Sequence, residues 1–223
     1  ICYRIDRNAY GWCRAWKKCG FIAVMQLPLV PQHDQRKTKN NPKYGAANIV
    51  HGVSAIEGDV VELGVAAGGN FATMLLGCRE AGLNKKGWGF DSFQGIQLAG
   101  KKDTSQPGIG DITHDVNVPD EELLVSSGIT VHPKQNVIDN LTNWGLYNNV
   151  ELVEGWVQHT LPEYVHKIDK IAVLRLDMDI YYPTKIALEF LFDKVVDGGI
   201  VIIDDWALDG ARLACEEYFE SIK

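Results

Sequence analysis

From Asp59 onward, short β-branched apolar runs alternate with amphipathic stretches, and this alternation constrains the fold more than any other feature of the chain. Val60-Val61-Glu62-Leu63, Gly87-Trp88-Gly89-Phe90, Val150-Glu151-Leu152-Val153, Ile171-Ala172-Val173-Leu174-Arg175-Leu176 and Ile200-Val201-Ile202-Ile203 read as strands. Phe71 to Ala81, Val137 to Trp144, Leu161 to His166, Thr184 to Val195 and Ala211 to Ile222 read as the helices between them. The Ile171 and Ile200 runs are almost wholly apolar, as central strands covered on both faces are. The expected class is therefore α/β, a mostly parallel central sheet flanked by helices.

The region before that alternation is different. Tyr10 to Val24 reads as a helix with Trp12, Trp16 and Cys19 on one stripe. Pro28, Pro31 and the polar run Gln32 to Lys43 read as a loop, and Ala46 to Ile56 as a helix ended by Gly58. Residues 1–45 are thus expected to be an extension, available to lid a site or to pack on a second copy, ahead of a domain over 46–223. Residues 1–50 carry nine Lys or Arg against two Asp or Glu, whereas the rest carry 13 against 27, so the net charge of −7 hides a split. A nucleic-acid site would need a basic stripe on the folded core. Arg14, Lys17 and Lys18 around the two tryptophans read instead as a solvated helix face. No nucleic acid and no membrane is expected as partner, because no run approaches a spanning length of about 18 apolar residues. The five cysteines, Cys2, Cys13, Cys19, Cys78 and Cys215, are odd in number and form no C-x-x-C pair. No disulfide framework or structural zinc site is therefore expected, and scattered thiols of this kind point to the cytoplasm. Ile1-Cys2-Tyr3-Arg4 is neither a signal peptide nor a natural start.

The chemistry lies at the strand ends. Glu62 precedes Gly64-Val65-Ala66-Ala67-Gly68-Gly69, Asp91 closes the second strand, Asp177 and Asp179 the fourth, and Asp204 and Asp205 the fifth. Ligands of open parallel sheets bind beyond the carboxyl ends of the strands. The glycines at 64, 68 and 69 do not match the G-x-G-x-x-G spacing of a dinucleotide site. An acid at Glu62 suits a cationic amino group, and one at Asp91 suits ribose hydroxyls. Together they outline S-adenosylmethionine. Asp177, Asp204 and Asp205 converge if their strands are neighbours, and like charges so placed need a cation. Oxygen ligands without His or Cys favour Mg²⁺.

Gly58-Asp59-Val60-Val61-Glu62-Leu63-Gly64-Val65 and Gly89-Phe90-Asp91-Ser92-Phe93-Gln94-Gly95 resemble the macrocin O-methyltransferase family. So do Gly155-Trp156-Val157-Gln158-His159-Thr160-Leu161-Pro162, Leu174-Arg175-Leu176-Asp177-Met178-Asp179-Ile180-Tyr181 and Gly198-Gly199-Ile200-Val201-Ile202-Ile203-Asp204-Asp205-Trp206. The resemblance runs from about Gly58 to the end, in family order. It implies a Rossmann-like class-I methyltransferase fold and a metal-dependent O-methylation of a sugar in a glycosylated natural product. Glu62, Gly64, Val65, Gly68, Gly69, Asn70, Asp91, Ser92 and Asp177 would hold S-adenosylmethionine. Asp177, Asp204 and Asp205 would hold Mg²⁺. The family more often has Gly at position 178 and Tyr at position 206, so Met178 is placed to reshape the acceptor pocket. A methyltransferase sheet normally continues past the helix at Ala211 to Ile222 with a closing strand pair, one antiparallel, and that pair is read as missing from the 46–223 domain. The two candidate bases are Asp179, two residues from a metal ligand, and His159, with the better intrinsic pKa. Two rival functions share the sheet: an NAD(P)-dependent oxidoreductase and a non-catalytic nucleoside-binding module. The first lacks its glycine fingerprint, and the second has no need of both acid clusters.

Overall fold

The computed structural model describes residues 2–4, 21–25, 56–103 and 119–222. Seven strands and five α-helices follow in order: β1 (Cys2–Arg4), β2 (Phe21–Met25), β3 (Asp59–Leu63), α1 (Gly69–Glu80), β4 (Gly87–Asp91), α2 (Lys134–Asn143), β5 (Val150–Glu154), α3 (Val157–Tyr164), β6 (Ile171–Leu176), α4 (Tyr181–Leu191), β7 (Val195–Ile203) and α5 (Asp209–Ser221). The sheet order is β1-β2-β7-β6-β3-β4-β5. All pairings are parallel except that of β1 with β2. The chain leaves β3 towards β4 and β5, then crosses back to β6 on the other side. Strand order therefore reverses between β3 and β6, and the crevice at their carboxyl ends is where such a sheet binds ligands.

Each of the five expected strands is present: β3, β4 and β6 are buried on both faces, β7 over Gly199 to Ile203 largely so, and the edge strand β5 buries Leu152 and Val153. Val61 and Leu63 of β3, Leu174 and Leu176 of β6, and Val201 and Ile203 of β7 pack with Leu161, Leu188, Leu191 and Phe219 of α3 to α5. Val60, Val173, Ile200 and Ile202 pack on the opposite face with Phe71, Met74 and Leu75 of α1 and Val137 and Leu141 of α2. The sequence Gly-Trp-Gly-Phe in β4 has a packing cause. A Cβ at Gly87 would lie 2.9 Å from the Phe71 ring, and one at Gly89 2.8 Å from Leu152. The missing side chains let α1 and β5 close onto the strand.

The N-terminal expectation needs correcting. Phe21 to Val24, read as the end of a helix, lie in β2, where Phe21 pairs with Ile200 and Val24 with Ile203. A short apolar run has no period that separates a strand from a helix end, and here the open edge of β7 decides. The rest of the Tyr10 helix and the Pro28 to Lys43 loop lie outside the described residues, as does the Ala46 helix apart from Ile56, which sits in a bend. β1 and β2 thus join the sheet from within the stretch read as an extension, and β1 supplies an antiparallel edge strand. Cys78 and Cys215 are buried free thiols. Among the described residues, no helix is long and apolar enough to cross a membrane.

Candidate active site

Side chains alternate between faces along a strand, so the acids can be placed by counting in twos. Glu62 shares a face with Val60, Asp177 continues the face of Val173 and Arg175, and Asp204 continues that of Ile202. In register, Glu62 stands beside Arg175 and Arg175 beside Ile202. Carboxylates from three adjacent strands are thereby brought to one corner of the sheet. One oxygen from each of Asp177, Asp204 and Asp205 lies within 4.8 Å of the others.

A buried arginine organises them. Arg175 is 1% exposed, and its Nη1 contacts Glu62 Oε1 and lies 2.8 Å from Asp177 Oδ2. Its Nη2 lies 2.7 Å from Asp204 Oδ2. Asp204 Oδ1 is buried and has no hydrogen-bond partner, and neither has Glu62 Oε2. Buried carboxylate oxygens left without a donor are costly. Three hard oxygen donors with one orphaned lobe therefore form a set into which a divalent cation fits.

Two loops complete the corner. Gly64, at φ +82°, donates its N–H to Phe90 O at 2.9 Å. A Cβ there would meet the backbone oxygen of Asp177 at 1.8 Å, so only glycine lets the loop cross so close to Asp177 beyond β6. We expect Gly64→Ala to lower the melting temperature by roughly 10 °C, because both the φ and the backbone clash oppose it. An unchanged melting curve by circular dichroism would contradict this packing. Asp91 joins the same loop to β4, accepting from Ala66 N at 2.8 Å and from Phe93 N at 2.6 Å. Burial pushes the Asp91 pKa up against these hydrogen bonds. α1 opens at Gly69 behind a left-handed Gly68 and has no side-chain cap, so its first-turn N–H groups are available to an anion.

The cleft beside this corner has a volume of about 160 Å³. Gly64, Ala66, Asp91 and Ser92 line one part of it, and Asp177, Met178 and Asp179 another. Ile96, Trp156, Val157 and Pro183 supply apolar wall, and Gln97, Thr130 and Gln158 supply polar groups. Three of the lining residues that are not glycine, Ala66, Thr130 and Asp179, hold positive φ, a strain found where structure over-determines a functional site. Asp179 is fixed by its N–H, which donates to Asp205 Oδ2 at 2.8 Å.

Crowded acids hold their protons. Burial, then Asp177 and Asp204, pushes Asp179 up to about 8. Burial takes Glu62 to about 8 despite Arg175, and burial with Asp177 takes Asp204 to about 7. Burial and then Asp179 raise Asp205 well above the usual carboxylate range. These folded-state values exceed those of an unfolded chain, so their contribution is full at low pH and disappears as pH rises through about 7 to 8. The metal-free protein should accordingly lose several degrees of melting temperature between mildly acidic and mildly alkaline buffer. A flat or rising profile would contradict the clustering.

Of the expected site residues, the structure gathers Gly64, Asp91, Ser92, Asp177 and Asp179 around the cleft and sets Asp204 and Asp205 beside them. Glu62 is instead buried against Arg175, while Val65, Gly68, Gly69 and Asn70 lie off the cleft wall in the loop and the first turn of α1. His159 is exposed on α3 and does not line the cleft, whereas its neighbour Gln158 does. Sequence reasoning passed over Arg175, although a charge in an otherwise apolar central strand signals a buried partner. It also passed over Gln97 and Gln158, whose amides meet at 2.6 Å, and nothing periodic marks them.

A family model described as macrocin-O-methyltransferase matches residues 43–223. The chain is 33% identical over 184 residues to the 8-demethyl-8-(2,3-dimethoxy-alpha-L-rhamnosyl)-tetracenomycin-C 4'-O-methyltransferase of Streptomyces olivaceus, covering 82% of this chain and 65% of that one. It is 34% identical over 167 residues to demethyldecarbamoylnovobiocin O-methyltransferase of Streptomyces niveus, covering 73% and 58%. Mycinamicin III 3''-O-methyltransferase of Micromonospora griseorubida is 29% identical over 176 residues, covering 73% and 61%. The chain thus spans somewhat less than two thirds of the length of these curated relatives. Among solved structures, the O-methyltransferase NovP superposes with a TM-score of 0.65 at 28% identity, covering 81% of this chain and 72% of that one. Calicheamicin methyltransferase CalS11 shares the fold with a TM-score of 0.63 at 21% identity, covering 85% and 78%.

Proposed function

The chain belongs to the macrocin O-methyltransferase family, and from that membership we propose that it is an S-adenosylmethionine-dependent, Mg²⁺-dependent O-methyltransferase acting on a hydroxyl of a small molecule, a sugar of a glycosylated natural product. The observation that carries the reading is the meeting of Asp177, Asp204 and Asp205 at the lip of a cleft that Gly64, Asp91 and Asp179 line. The sugar acceptor is supported by the glycoside named in the tetracenomycin relative.

Each residue then has a task. The first-turn amides of α1 behind Gly68, with Gly69 and Asn70, would receive the carboxylate of the cofactor, and Asp91 and Ser92 its ribose. Glu62 is buried against Arg175 on the strand that leads into the Gly64 loop, and within that loop Val65 O accepts from Gly68 N. Asp177, Asp204 and Asp205 would hold the cation, whose orphaned acceptor at Asp204 Oδ1 fits it. When bound, the cofactor supplies an electrophilic methyl group and the cation makes a neighbouring hydroxyl more acidic. Asp179, on the cleft wall, takes the hydroxyl proton on its carboxylate. Trp156, Val157 and Met178 exclude water and orient the acceptor, which lets positioning supply much of the rate. Titration calorimetry with S-adenosylhomocysteine, with and without Mg²⁺, tests the reading. Binding in both conditions is expected, and silence in both would refute it.

A further inference from the structure

Apart from Glu62, the neighbours of position 175 on the same face, Val60, Val173 and Ile202, are fully buried hydrophobics, and a whole buried ion-pair network replaced by apolar groups of similar volume is often neutral or stabilising. Yet the guanidinium is 1% exposed and touches carboxylates that come from three adjacent strands: Glu62 of β3, Asp177 beyond β6 and Asp204 beyond β7. Glu62 lies on the strand that leads into the Gly64 loop, while Asp177 and Asp204 are two of the three acids of the cation cluster.

Resting on the reading above, we propose that Arg175 is the positioning residue of the cation site, fixing one oxygen of Asp177 and one of Asp204 while tying both to Glu62 on the cofactor strand. The contacts divide by oxygen. Arg175 Nη2 forms an ion pair with Asp204 Oδ2 at 2.7 Å without hydrogen-bond alignment, and the other oxygen, Oδ1, is buried without a partner. The charge draws Oδ2 to the guanidinium and leaves Oδ1 as the oxygen presented to a cation. Asp177 is held in the same way, through Oδ2 at 2.8 Å. Without a cation between them, two such acids would turn apart. The planar fork of Arg175 keeps them assembled before any metal arrives, which is what outer groups do for the ligands they orient. A lysine could not substitute, because one compact ammonium cannot reach carboxylates on three strands at once.

The test is Mn²⁺ titration followed by electron paramagnetic resonance on the parent protein, R175K and E189Q, each checked for folding by circular dichroism. Folded R175K should bind Mn²⁺ about 10- to 100-fold more weakly than the parent. E189Q, which removes an exposed carboxylate paired with Lys185 on α4, should bind as the parent does. Parent-like affinity in R175K, or an equal loss in E189Q, overturns the inference. Should R175K not fold, a crystal structure of the parent with Mn²⁺ decides. Arg175 still on Asp204 Oδ2, with Mn²⁺ on Oδ1, supports the role, and Arg175 displaced by the cation overturns it. Absence of Mn²⁺ binding by the parent itself would remove the metal reading, and this role with it.

Discussion

Asp204→Asn is expected to slow methyl transfer by about 10²- to 10³-fold, the several kcal/mol that a Lewis-acidic cation contributes. Asp204 Oδ2 sits against Arg175 and Oδ1 faces no donor. An asparagine of the same shape would keep its carbonyl oxygen on the guanidinium and turn its NH₂ to where Oδ1 was. That presents a donor to the cation and removes a ligand, with no cavity left behind. The fold should survive, since Asp204 is already driven towards its neutral form by burial and by Asp177. Affinity for S-adenosylhomocysteine should stay close to the parent value, because Asp204 does not line the cleft. Full turnover of this variant in the presence of a chelator would exclude the acid cluster from catalysis.

Asp179→Asn should cost about 10²- to 10⁴-fold in turnover, the usual worth of a general base. Asp179 lines the cleft, and the hydrogen bond of its N–H to Asp205 holds it at φ 61°. Burial and two neighbouring acids raise its pKa to about 8, which makes the carboxylate a far stronger base than an exposed one. A cation on Asp177, Asp204 and Asp205 opposes that rise. The acid limb of the pH–rate profile should therefore move to lower pH as Mg²⁺ is increased in the parent, and vanish in the Asn variant. Were His159 the base, the same loss would appear in His159→Gln instead, although that side chain is exposed and off the cleft wall.

The parallel sheet was legible because Ile171 to Leu176 and Ile200 to Ile203 are too apolar for any place but its centre. The rim acids were legible for a related reason: a strand that must be dry inside can carry Asp only where it ends, and the acids mark those ends. Phe21 to Met25 misled because five apolar residues carry no period, and an edge offered by β7 decided their form. Arg175 is visible as an anomaly in its strand, but its meaning lies in Glu62 and Asp204, distant in sequence and joined to it only by register. The same holds for Gln97 and Gln158, which meet across the cleft from a loop and from α3. Convergence between elements is written in the topology, not in any single stretch of residues.

Methyl transfer itself gives the most direct test of the proposed chemistry. The purified protein would be incubated with S-adenosylmethionine and a panel of deoxysugar-bearing glycosides, with Mg²⁺ or with chelator, and the products read by mass spectrometry. A glycoside heavier by one methyl group, formed with Mg²⁺ and lost under chelation, is the predicted result. Equal methylation in the presence of chelator would contradict the role assigned to Asp177, Asp204 and Asp205, and no methylated glycoside in either condition would contradict the function itself.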